Sequence, residues 1–256
     1  MVNVQFIAEC SSLDIENAHS KAASELLGID TVAQASSNVS ANTQIMHTIL
    51  MANIDYKGFR VIAHADMSEH NIEVLHDLNP DALIISDDAC EKSSYIGQAL
   101  NIQSHTVQVN QDRRVRVYTA GSVQVYVDMD TKQHYLITLR DIFPPDHHVL
   151  DEESYSEKSK VRRNCRLRPE FLKHYQVAIC SDSLTISSGA TVTERDTNDS
   201  QAIRASRFLR ETWIPAFINS LDSLESRPYD SRSLSIEMHR QGINMRHLGI
   251  FYLNQD

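Results

Sequence analysis

Between His105 and Asp146 the sequence alternates apolar and polar residues at period two, and the alternation ends in a double proline. HTVQVN is followed by RVRVYTAGSVQVYVDMDTKQHYLITL, with turn signals at Ala120-Gly121-Ser122 and Asp128–Lys132. A helix needs its apolar residues three to four apart, so this segment must be strands. Val115, Val117, Val123, Val125 and Val127 supply β-branched packing, with Arg114, Arg116 and Gln124 on the other face. The expected arrangement is an antiparallel meander whose last strand is HYLITLRDIFPPD, His134–Asp146. In it Tyr135, Ile137 and Leu139 alternate against Leu136, Thr138 and Arg140, and Ile142 and Phe143 extend the apolar side. Pro144-Pro145 stops the ladder, because proline lacks an N–H and restricts the residue before it.

The flanks read differently. Upstream, Val2, Val4 and Phe6 suggest a strand, and Ser11 or Ser12 can cap a helix that Gly28 terminates. Thr31–Asn42 reads as a loop and Thr43–Met51 as a second helix. Strands are expected at Phe59–Ala65, after a Lys57-Gly58 turn, and at Ala82–Ser86. Asp87 and Asp88 open a helix to Leu100, where negative charge suits the positive helix end. Downstream the pattern is mainly helical: Pro169–Gln176, then Gln201–Leu224 kinked or divided by Pro215, then Leu234–Gln241 ending at Gly242. Asp151–Lys160 and Ser181–Ser200 read as polar loops or an exposed hairpin. The fold class is α+β, an antiparallel meander with a mainly helical C-terminal part. Without a repeat or a low-complexity linker, residues 1–256 are expected to form a single domain.

Charge narrows the partners. The net charge is −10, with 9 basic and 19 acidic side chains in residues 1–150 and 15 of each in residues 151–256. The first part repels DNA and anionic membranes, so any polyanion site belongs to the second. No apolar run approaches the roughly 20 residues that span a bilayer, and membrane insertion is not expected. The N-terminus has no secretory pattern, and Cys10, Cys90, Cys165 and Cys180 form no CxxC pair. The expected compartment is the cytoplasm, with free thiols.

Catalytic signatures are absent. None of the seven glycines forms a phosphate-cradling loop, and neither GxSxG nor HExxH occurs. His64, His70 and His76 are six apart, which is no metal-ligand pattern. No catalytic residue, metal ligand or cofactor is assigned. Asp146-His147-His148, after the rigid turn, is a candidate to shuttle protons or hold a metal, with an exposed polar cluster as the alternative. Lys158–Lys173 holds seven basic residues against Glu170 alone. Lys160, Arg162, Arg163, Arg166 and Arg168 are therefore the candidates for RNA or another polyanion, since guanidinium forks match phosphate oxygens. Pairing with the acidic residues just upstream is the structural alternative.

HYLITLRDIFPPD, LRPEFL and the closing run MHRQGINMRHLG, Met238–Gly249, together resemble the Clu domain of the clustered-mitochondria family. GFRVIA at residues 58–63 and ALIISDDA at 82–89 resemble it too. The likeness spans about residues 55–250, with 1–54 as a strand-and-helix lead-in. The motif residues are Phe143, Pro144, Pro145, Arg168, Pro169, His239, Gly242, Asn244, Arg246 and Gly249. Thr138 stands where the family usually has aspartate, and Asp141 where it has the arginine of RTFPP. The resemblance implies a protein or ribonucleoprotein partner and a part in mitochondrial distribution. In the closing run Gly242 can end a helix in the left-handed conformation, Asn244 can bond backbone, and Arg246 can reach a carboxylate, Asp141 or Asp146.

The leading expectation is a non-enzymatic interaction module. One alternative is a degenerate phosphotransferase, on the strength of a strand and turn followed by helices, though Thr138 replaces the acid such a site needs. The other is direct RNA binding through residues 158–173.

Overall fold

A computed structural model of the chain describes residues 2–6, 12–38, 46–57, 59–67, 70–78, 83–109, 113–147, 165–185, 191–221 and 228–253. Its strands are β1 (Val2–Phe6), β2 (Met46–Thr48), β3 (Met51–Tyr56), β4 (Phe59–Ala65), β5 (Ile72–Asp77), β6 (Ile84–Ile85), β7 (His105–Gln108), β8 (Arg114–Val117), β9 (Gln124–Asp128) and β10 (His134–Ile137). Its α-helices are α1 (Ser12–Asn38), α2 (Asp87–Ala99), α3 (Pro169–His174), α4 (Val192–Phe208), α5 (Ile214–Ser220), α6 (Ser231–Arg240) and α7 (Leu248–Leu253). The fold is α+β, with antiparallel pairing dominant and a helical C-terminal part. No described helix is long and apolar enough to cross a membrane.

The period-two segment forms two antiparallel hairpins, and they lie in different sheets. β9 cannot extend the β7–β8 ladder because its other edge is taken by β5, in the order β2-β10-β9-β5-β6. β10 in turn pairs in parallel with β2. The inward face of β10 carries His134 and Leu136 rather than Tyr135 and Ile137. The strand also stops earlier than expected. Thr138 takes the left-handed conformation (φ 63°, ψ 53°), and Leu139–Asp141 form a 3-10 turn before the prolines are reached.

A side chain from far upstream explains that turn. The Glu25 carboxylate accepts hydrogen bonds from the backbone N–H of Leu139 (2.7 Å) and Arg140 (2.8 Å). Those are the orphan donors at the start of a helical turn. Gly28 lets α1 approach, since a Cβ there would lie 2.6 Å from the Leu139 carbonyl oxygen. Gly28 thus serves close packing, and α1 runs on through it to Asn38. The expected loop from Thr31 is helical because its hydroxyls are satisfied there: Thr31 Oγ1 donates to Leu27 O (2.7 Å) and Ser36 Oγ to Met46 O (2.8 Å). The helix expected at Thr43–Met51 is replaced by β2 and the start of β3, whose partners β10 and β4 outweigh local periodicity.

In the helical part, residues 192–200 of the polar stretch form the first half of α4. Thr191 caps it, its hydroxyl accepting from Glu194 N at 3.2 Å. Its buried positions, Asn198, Ala202, Ala205 and Ser206, are small or polar, so no apolar stripe advertises the helix. Pro215 neither ends nor sharply breaks the run. A π-helical segment, Leu209–Trp213, precedes α5 and absorbs the missing N–H and the ring of proline. α6 starts with a capping box between Asp230 and Ser233. Val125 and Leu136 of the sheet, Val32 of α1 and Leu209, Ile214 and Met238 of the helical part belong to one buried cluster.

Candidate functional site

Asp146 directly follows the diproline, and its side chain is fully buried. The Pro144-Pro145 segment lies antiparallel to residues 165–167: Leu167 N donates to Pro144 O and Asp146 N to Cys165 O, both at 2.9 Å. Proline lacks the donor such a bridge would otherwise use, so this short contact depends on neighbours on either side. Among the described residues, three side chains from the C-terminal part converge on the carboxylate. Arg246 Nη2 donates to Oδ2 at 2.6 Å, His247 Nε2 lies 3.1 Å from the same oxygen, and Arg210 Nη1 is 3.4 Å from Oδ1. An ionised carboxylate only accepts, so Nε2 is the donating nitrogen of His247. Burial alone would raise the Asp146 pKa; the His247 hydrogen bond and the Arg246 charge outweigh it and hold it well below the usual carboxylate range.

Asp146 rather than Asp141 is thus the partner of Arg246. Asp141 serves Arg166, whose Nη2 donates to Oδ1 at 2.5 Å, while Ser122 Oγ donates to Oδ2 at 3.0 Å. Burial opposes ionisation of Asp141, and the Arg166 charge overcomes it, leaving the pKa lowered. The acid that replaces the family arginine therefore has a polar task of its own. Arg168 pairs with Glu170 through Nε and Nη2. Among the described residues, the guanidinium groups of Arg140, Arg166, Arg168, Arg210 and Arg246 share the carboxylates of Asp141, Asp146 and Glu170.

These pairs flank a cavity of about 920 Å³. Phe143, Arg168, His239, Asn244 and Arg246, all motif residues, line it together with Cys165 and Arg166. Across from them stand Leu26, Leu27 and Asp30 of α1, Asn53 of β3 and Met245. The wall is therefore cationic on one side and largely aliphatic on the other. Burial and the Arg168 charge lower the His239 pKa, which favours a neutral imidazole beside the guanidinium groups. Among the described residues no group of three or more His, Cys, Asp or Glu side chains is placed to hold a metal ion.

The remaining motif residues divide into structural and unexplained. Pro169 is buried at the start of α3. Gly242 has φ +71°, and a Cβ there would sit 2.1 Å from the Phe171 backbone nitrogen. It is required twice over, by conformation and by space. Asn244 departs from expectation: its carbonyl accepts from His247 N at 2.9 Å, but its side chain makes no hydrogen bond among the described residues and faces the cavity lining. At Gly249 a Cβ would meet nothing within 4 Å, and nothing in the structure explains the glycine. Of the basic run, Arg166 and Arg168 stand at the cavity, whereas Lys160, Arg162 and Arg163 lie outside the described residues, as do Asp151–Lys160 and His148. His147 is separate from the cavity lining; its backbone N–H donates to Ser206 Oγ and its carbonyl accepts from Arg210. Sequence reasoning missed Leu26, Leu27, Asp30 and Asn53, because nothing local marks residues that face a cavity across the fold.

Comparison with known proteins places these segments. The Clustered mitochondria family model matches residues 8–148, which contain α1 and the diproline turn. The model described as Translation initiation factor eIF3 subunit 135 matches residues 225–254, which contain α6, the closing run and α7. A Clustered mitochondria protein homolog of Debaryomyces hansenii is 24% identical over 255 aligned residues, covering 80% of this chain and 19% of that protein. One from Neurospora crassa is 49% identical over 53 residues, 20% of this chain and 4% of the relative. The chain thus spans about a fifth, or less, of the length of the curated relatives it matches. No solved structure gives a significant match.

Proposed function

The chain belongs to the clustered-mitochondria family, and on that premise we propose that it is a non-enzymatic interaction module contributing to mitochondrial distribution in the cytoplasm, through a protein or ribonucleoprotein partner. The observation that carries this reading is the cavity itself. Motif residues from three separate stretches, Phe143, Arg168 and the His239–Arg246 turn, meet along one wall of it. Fixed guanidinium groups and an aliphatic face suit recognition of a ligand. Deleting the chain from its host should gather the mitochondria into a cluster, and re-expression should disperse them. Arg168→Gln should restore less dispersion than the wild type at equal abundance. An unchanged mitochondrial distribution on deletion would overturn the reading.

The likeness of residues 225–254 to a translation initiation factor subunit favours a ribonucleoprotein among the partners. Direct RNA contact would run through Lys160, Arg162, Arg163, Arg166 and Arg168. It predicts binding that weakens steeply with salt and drops when Arg162 and Arg163 are both changed to glutamate. Equal RNA affinity in that variant removes this form of the proposal.

A further inference from the structure

Three polar atoms in residues that line the cavity are shielded from solvent and have no hydrogen-bond partner among the described residues: Asn53 Oδ1, Arg166 Nε and Arg246 Nε. Leaving such atoms unpaired costs about 1–3 kcal/mol each, so their gathering around one cavity points to something that belongs there. The Arg166 side chain is only 10% exposed, so its donor is fixed in place. The unmet needs are mixed: two donors seek an acceptor and one acceptor seeks a donor. A bare phosphate or carboxylate ion answers only the first. A peptide backbone offers N–H and C=O together.

Charge and surface say more about that peptide. The protein is acidic overall, yet three arginines, Arg166, Arg168 and Arg246, line this cavity against one acid, Asp30 on the facing wall. Opposite the cations, Leu26 is 39% exposed and Leu27 is half-buried, an aliphatic surface on α1. Phe143, the aromatic side chain in the lining, is fully buried and offers no face for a base to stack on, which disfavours single-stranded RNA here.

We propose that the cavity between α1 and the closing turn binds a short acidic–hydrophobic peptide segment of a protein partner. A carboxylate of the segment engages Arg168 and Arg246, and its neighbouring apolar side chain rests on Leu26 and Leu27. The proposal deepens the interaction-module reading and depends on it for biological sense, but binding itself can be tested apart from mitochondria.

Random dodecapeptides displayed on phage would be selected on the full chain. The strongest sequence would be synthesised with a fluorescein label and measured by fluorescence polarisation. The expected winner carries Asp or Glu beside an aliphatic or aromatic residue. Its affinity falls at least about tenfold with Arg168→Gln and with Leu26→Lys, equivalent to about 1.4 kcal/mol, and is unchanged with the distant Arg113→Gln. Both cavity variants are checked by thermal melting, and Leu26, being partly exposed, keeps the test open should Arg168→Gln unfold. Winners lacking an acid, equal binding to both cavity variants, or displacement by millimolar inorganic phosphate would overturn the proposal, the last by showing a small-anion site. Failed peptide binding alongside a mitochondrial defect would remove this ligand and leave the interaction module standing. Peptide binding without a mitochondrial effect would do the reverse.

Discussion

Asp146 and Asp182 both tie together segments far apart in sequence, and they do so with opposite charge balance. Asp146 is fully buried and shared by Arg246, Arg210 and His247. Asp182 is 14% exposed; it accepts from the Gly121 backbone N–H at 2.9 Å and lies 3.2 Å from Nε2 of the buried His105. Among the described residues, two guanidinium groups meet the one carboxylate of Asp146, and Arg246 also lines the cavity. Around Asp182 one carboxylate meets one imidazole, and neither lines it. A closed pair fastens the fold and ends there. An overcharged cluster fastens the fold and leaves cationic groups able to meet a ligand.

The sharpest way to break this comparison is to remove each carboxylate. Asp146→Ala should cost about 3–5 kcal/mol in urea unfolding, because two guanidinium groups and an imidazole lose a buried partner. Asp182→Ala should cost less, about 1–3 kcal/mol, since it is partly solvated. Equal losses would erase the distinction. Gly242→Ala tests the turn that delivers Arg246, and should cost about 2–4 kcal/mol from left-handed strain and overlap with Phe171. Gly249→Ala in the same motif should stay within about 0.5 kcal/mol of the wild type. A comparable loss there would show that the motif acts as one unit.

The two centres should also respond to opposite ends of the pH scale. With its pKa depressed, Asp146 contributes stability that is complete above about pH 4, the unfolded carboxylate range, and is lost as pH falls toward the folded value. For His105, burial alone would lower the pKa, but the Asp182 carboxylate 3.2 Å from Nε2, with Cys180 close by, raises it to about 10. That contribution is complete below about pH 6.5 and fades as pH rises toward 10. Melting temperatures of His105→Gln should therefore lose part of the alkaline slope and keep the acid one; an unaltered alkaline limb would contradict the pairing. The smallest effect is expected at the exposed pair of Arg113 with Asp87, where Arg113→Ala should cost less than about 1 kcal/mol.

Much of this was legible from the chain alone, and the failures have a common cause. Strands β4, β9 and β10, helix α2 and the stop at Gly242 follow local rules of alternation, charge at helix ends and glycine conformation. The family likeness and a carboxylate partner for Arg246 also follow from the motifs. What stayed hidden was set by contacts remote in sequence. Gly28 resembles a helix terminator, yet it is there for Leu139, and the strand end at Thr138 depends on Glu25. The first half of α4 is polar because most of it faces solvent, with Asn198 its one buried position. The cavity could not be anticipated, since Leu26, Asn53 and Arg166 share no local pattern and meet only in the folded chain.

The central claim is that Arg246 and Asp146 act on each other across the fold, joining the diproline turn to the closing run. A urea-unfolding cycle of Asp146→Asn, Arg246→Gln and the double variant measures that directly. The account predicts a coupling of at least about 1.5 kcal/mol, the double variant being less damaged than the sum of the two single changes. Additive losses, with coupling near zero, would contradict it.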